Sequence, residues 1–114
     1  MKPKTLSIHF YRTRNGREPV REWLRGLGRP DSLAIGEDIA VVQHGWPLGM
    51  PVCRPLGDGL YEIRSSLSGS RIARVLFFFD AGEIILVHGF IKKTRKTPGQ
   101  DLRLARERKR DYLA

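Results

Sequence analysis

The sequence predicts an α+β fold, a mostly antiparallel sheet with helices packed against it. Three observations carry that reading. Apolar and polar residues alternate near the start of the chain, and apolar residues then recur at helical spacing through two segments. Three β-rich stretches separated by short turns follow, and a basic helical pattern comes last. The expected order is strand, helix, helix, three-stranded antiparallel meander, C-terminal helix.

Leu6, Ile8 and Phe10 alternate with Ser7 and His9, the two-residue period of a strand, and Asn15-Gly16 ends that element. Pro19 suits the first turn of a helix, where a missing N–H costs nothing. Val20, Trp23, Leu24 and Leu27 then recur at i, i+3, i+4 and i+7. Gly28 stops this helix, and Pro30-Asp31-Ser32 offers a cap for a second one with Ile35, Ile39, Val42 and Trp46 on one stripe. Gly36 weakens the second helix, and Gly45 with Pro47 ends it.

Residues 47–58, rich in Pro and Gly, read as a loop. Strands are expected over Leu60–Ser65, Arg71–Phe79 and Ile84–Ile91, with turns at Leu67–Ser70 and Asp80–Glu83. The apolar runs Val75–Phe79 and Ile84–Val87 suggest strands covered on both faces. Thr97-Pro98-Gly99-Gln100 has capping-box spacing with Pro at the first helical position, and a basic helix to about residue 113 should follow. No internal repeat or linker divides residues 1–114, which read as one domain.

Composition narrows the function classes. Hydrophobic residues make up 40% of the chain and charged ones 29%, the balance of an ordinary globule. Lys and Arg total 21 against 12 Asp and Glu, leaving +9 with histidines neutral. That excess points to a polyanionic partner: nucleic acid, an anionic membrane surface, or an acidic protein. Residues 84–110 hold nine basic side chains and two acidic ones, a block that repels itself unless something offsets it. Met1-Lys2-Pro3-Lys4 leads into no export segment, and no window approaches a membrane span, so a cytoplasmic protein without membrane contact is expected.

Cys53 is the only cysteine, which rules out an intrachain disulfide, and it sits beside prolines with no base in view. His9, His44 and His88 are scattered without metal-ligand spacing, so neither a metal nor another cofactor is expected. His88 shares strand parity with Leu86 and Phe90 and reads as a core histidine. The glycines mark turns and form no phosphate-binding loop.

Arg74 stands out. It is a guanidinium between Ala73 and Val75 in what should be a central strand, and such a charge is costly unless paired or facing a polar cleft. Pairing with Glu62 is one reading. The other is a sheet face that carries Arg64 and Arg74 toward an anionic ligand, and the two are compatible. Lys92 and Lys93, followed by Arg95 and Lys96, emerge where the last strand ends. Basic side chains converging from three strands would make a cationic bowl sized for a few phosphates. In RNA scission the 2′-hydroxyl attacks the neighbouring phosphate, and fixed cations stabilise the charge that grows on the phosphoryl oxygens.

Several segments together resemble a known family. They are Pro19-Val20-Arg21-Glu22-Trp23-Leu24, Leu56-Gly57-Asp58-Gly59-Leu60-Tyr61-Glu62-Ile63-Arg64, Arg71, Arg74-Val75-Leu76-Phe77, and His88-Gly89-Phe90-Ile91-Lys92-Lys93-Thr94-Arg95-Lys96-Thr97-Pro98. In their order and spacing, over roughly residues 5–110, they are similar to the HigB-like, phage-derived branch of the RelE/ParE toxin superfamily. The resemblance implies a RelE-like fold and ribosome-dependent cleavage of mRNA, neutralised by a cognate helix-turn-helix antitoxin. By motif it places catalysis on Arg64, Arg74, Lys92 and Lys93. Arg71, Arg95, Lys96, Arg103 and Arg106 are expected to bind RNA. The family's further catalytic tyrosine or histidine near the C-terminus has no match, since Tyr112 falls inside the expected helix. The ParE branch shares the fold but poisons DNA gyrase. A gyrase-directed or other non-nuclease toxin, and a catalytically inactive nucleic-acid-binding module, are therefore the alternative readings.

Overall fold

A computed structural model of the chain describes residues 6–45, 53–92 and 98–114. Strand β1 is Ser7–Phe10, followed by helices α1, Pro19–Gly26, and α2, Arg29–Gly45. Strands β2, Cys53–Gly57, β3, Leu60–Leu67, β4, Arg71–Asp80, and β5, Glu83–Lys92, come next, and helix α3 spans Gly99–Leu113. The five strands form one sheet in the order β1-β5-β4-β3-β2, with β1 parallel to β5 and the other neighbours antiparallel. This is the expected α+β, RelE-like arrangement with one strand more than the sequence suggested. Cys53–Gly57 pairs with β3, so the expected loop over 47–58 contains a strand in its described part.

The hairpins explain how the meander closes. Asp58 and Gly59 link β2 to β3 with φ of 54° and 75°, and Ala81 and Gly82 link β4 to β5 with φ of 49° and 80°. Both central residues of each turn are left-handed, the geometry whose twist matches that of the strands it joins. At Gly59 a side chain would also crowd Lys109, whose Nζ lies 2.7 Å from where a Cβ would stand.

Helices cover both faces. On one, Val20 of α1 and the Ile35, Ile39 and Val42 stripe of α2 bury against Ile63, Ala73, Val75, Phe77, Ile84 and Leu86. Trp46, expected on the same stripe, lies outside the described residues. The indole of Trp23 sits on Gly89 so closely that a Cβ there would fall 2.4 Å from the ring, so β5 needs glycine at that point. On the other face Ala105 of α3 packs with Leu60, Leu76, Phe78, Ile85 and Val87. Tyr11 joins this layer, and its hydroxyl donates to Asp111 at 2.6 Å.

Two caps differ from expectation. Helix α2 begins at Arg29, directly after Gly28. The residues expected to cap it instead tie elements together: Ser32 donates to the Leu24 carbonyl of α1, and Asp31 receives Arg71. Pro98 precedes the first helical residue of α3 instead of occupying it, and its carbonyl accepts the N–H groups of Asp101 and Leu102. Thr97 lies outside the described residues.

A second difference decides which way β5 faces. Leu76 pairs with His88, but the next residue, Phe77, pairs with Leu86, which leaves Val87 as an extra residue. Such a bulge inverts side-chain parity along the rest of the strand. The alternation expected from sequence put His88 with Leu86. The bulge breaks that link and sends His88 to the opposite face, where Phe90 remains its neighbour.

Candidate functional site

The α3 face of the sheet carries the charge. Registered pairs place Arg54 of β2 opposite Glu62 of β3, and Leu76 of β4 between Glu62 and His88 of β5. In the adjoining row Arg64 of β3 lies directly opposite Arg74 of β4, and Arg74 opposite Phe90. Alternation along each strand puts these side chains on one surface.

Glu62 is the hub. Its Oε1 lies 3.4 Å from Nε of Arg54, 3.8 Å from Nε of Arg64 and 3.8 Å from Nε of Arg74. Glu62 and Arg74 are fully buried, whereas the side chains of Arg54 and Arg64 keep 44% and 33% of their exposure. Three guanidinium groups around one carboxylate leave a surplus of two positive charges. Burial presses the Arg74 pKa below its ordinary value; Glu62 opposes that shift, and the charges of Arg64 and Arg54 reinforce it. Both sequence readings of Arg74 thus coexist: it pairs with Glu62, and it belongs to a cationic face.

His88 and Asp101 border this cluster. Nε2 of His88 is 2.6 Å from Oδ1 of Asp101, in the first turn of α3, and the imidazole stacks on Phe90 at 5.4 Å. Cys53 lies on β2 next to Arg54, and burial, with the Glu62 charge adding, pushes its thiol up to about 11, far from thiolate chemistry at neutral pH. Among the described residues no group of three or more His, Cys, Asp or Glu could hold a metal ion, and no helix is long and apolar enough to cross a membrane.

The expected site residues do not all come together. Arg64 and Arg74 come together. Arg71 is held elsewhere: its Nη1 and Nη2 donate to the two carboxylate oxygens of Asp31 at 2.7 and 3.0 Å, fastening β4 to α2. On α3, Arg103 is exposed, while Arg106 pairs with Asp58 at 2.9 Å. Lys92 closes β5 in register with Ile72, and Lys93, Arg95 and Lys96 lie outside the described residues. Arg54 was not anticipated, because its segment read as loop. Asp58-Gly59, a strong two-residue hairpin pair, was the signal that a strand precedes β3.

A five-stranded sheet clasped between α1 and α2 on one side and α3 on the other is consistent with a RelE-like fold. The chain belongs to the phage-derived Gp49-like protein family (DUF891), whose model matches residues 22–110. No curated protein matches the chain.

Proposed function

We propose that the chain is the toxin of a type II toxin–antitoxin pair, of the HigB-like branch, and acts as a ribosome-dependent mRNA endoribonuclease that blocks translation. Its partners in this reading are mRNA on the ribosome and a helix-turn-helix antitoxin, and it works in the cytoplasm, where both are found. The observation that carries the proposal is the direct pairing of Arg64 with Arg74 across β3 and β4. Like charges directly opposite each other weaken a sheet, and burying a guanidinium adds to that cost. Glu62 offsets part of it. A phosphate seated against the partly exposed Arg54 and Arg64, with the buried Arg74 charge behind them, would offset it further, and the same cations would gather the charge that develops when the 2′-hydroxyl attacks. Lys92, the last residue of β5, and Lys93, next in sequence, are proposed to extend the phosphate contacts, with Arg95, Lys96 and Arg103 also binding the RNA.

The test is cleavage of a reporter mRNA on translating ribosomes by the purified chain. The expected result is scission that requires ribosomes, together with growth arrest on induction in a bacterium lacking the antitoxin. Arrest with intact mRNA would favour a gyrase-directed or other non-nuclease toxin. Unimpeded growth with folded protein that still binds RNA would favour an inactive binding module.

A further inference from the structure

The cationic face can stabilise a phosphorane, but arginines do not take a proton from a ribose hydroxyl. A base is needed, and the bulge at Val87 delivers one. By shifting register it turns His88 onto the arginine face, beside Leu76 and diagonal to Arg74. The side chain is partly open, 15% exposed, and its Nε2 is engaged by Asp101.

That contact fixes the chemistry of the ring. A carboxylate accepts a hydrogen bond, so neutral His88 keeps its proton on Nε2 and carries its lone pair on Nδ1. Among the described residues Nδ1 makes no hydrogen bond. The stacked Phe90 holds the ring plane, and Asp101 in the first turn of α3 holds its Nε2 edge. An oriented imidazole with a carboxylate behind it is the arrangement that general-base catalysis on a hydroxyl requires.

We infer that His88 is the general base of the proposed cleavage and that Asp101 is its positioning residue. The inference rests on the endoribonuclease reading. Nδ1 takes the 2′-hydroxyl proton as the O2′–P bond forms and the P–O5′ bond breaks, and the departing 5′-oxygen takes a proton from water. The products are a 2′,3′-cyclic phosphate and a 5′-hydroxyl end, with no change of oxidation state. Asp101 and Arg108 on α3, Arg74 on β4 and Glu62 on β3 are the charged groups placed to influence that proton.

Two variants of the full chain test this on translating ribosomes, each with a thermal melt and a pH–rate profile. His88→Gln should lower cleavage by ~10²–10⁴-fold and lose the acid limb of the profile, since no group then protonates with the loss of the base. Asp101→Asn should retain the limb with a reduced plateau, because the ring remains but its tautomer is no longer held. If wild-type protein cuts no mRNA, the function and the base fall together. If wild type cuts and a folded His88→Gln protein matches it, only the base is overturned. Rate losses that track lost stability, with the acid limb unchanged, would also overturn it and leave the pair as a structural tie between β5 and α3.

Discussion

At the level of single residues, Glu62 and Arg74 set the terms. Arg74→Met should leave the melt nearly unchanged while cutting ribosomal mRNA cleavage by ~10²–10³-fold, the loss typical of a deleted transition-state donor. Arg74→Lys should recover part of it, because an ammonium is a point charge without the guanidinium fork. Glu62→Gln has a different expected outcome. It removes the carboxylate that three guanidiniums share and should cost roughly 3–5 kcal/mol in denaturant titration, whereas adding Arg74→Met to it should restore most of that loss. Arg74 was legible in the sequence because a charge inside an apolar strand is conspicuous, and parity alone put Arg64 beside it. Arg54 was hidden by Pro55 and the glycines around it. Asp101 was hidden by distance, since nothing in the sequence says which part of the sheet a helix will cover.

At the level of elements, register does what composition cannot announce. The helices and four of the five strands follow from the sequence pattern, but a bulge is a tertiary choice. Here it has an identifiable partner: Arg108 of α3 donates from Nη1 to the carbonyl of Val87 at 2.7 Å, and burial lowers the Arg108 pKa. Arg108→Met should remove the donor from a buried carbonyl and cost about 1–3 kcal/mol of stability. It should also slow cleavage, by letting His88 drift from the arginine face. Amide exchange along β5 would report the loosening directly. Helix α2 offers an opposite case. Gly36 is exposed in mid-helix and nothing lies within 4 Å of where its Cβ would stand. Gly36→Ala should therefore stabilise the fold by roughly 0.5–1 kcal/mol in a thermal or urea melt, with cleavage unchanged.

At the level of the whole molecule, a net charge of +9 is expected to show as salt-dependent binding. The logarithm of affinity for single-stranded RNA should fall with the logarithm of salt by about 0.7 per phosphate contact. Replacing Arg54 and Arg64 together by Gln should flatten that slope, and an unchanged slope would move the contact surface toward Arg103 and Arg110 on α3. The sheet order carries one more consequence, and it concerns time. Strands β2 to β5 are joined by tight turns and can zip locally, but β1 pairs only with β5, Ser7 meeting Glu83. Tyr11 and Asp111, whose side chains bond, stand one hundred residues apart. Closing such distant contacts is slow, because loop entropy is lost before any packing is gained. During synthesis, β1 emerges long before its partner strand exists, and α3, which bears Asp101, emerges after the whole sheet. The arginine face is therefore laid down first, and the group that orients the imidazole arrives last. A nascent chain would hold the proposed phosphate-binding surface for some time before it held the proposed base together with its positioning residue.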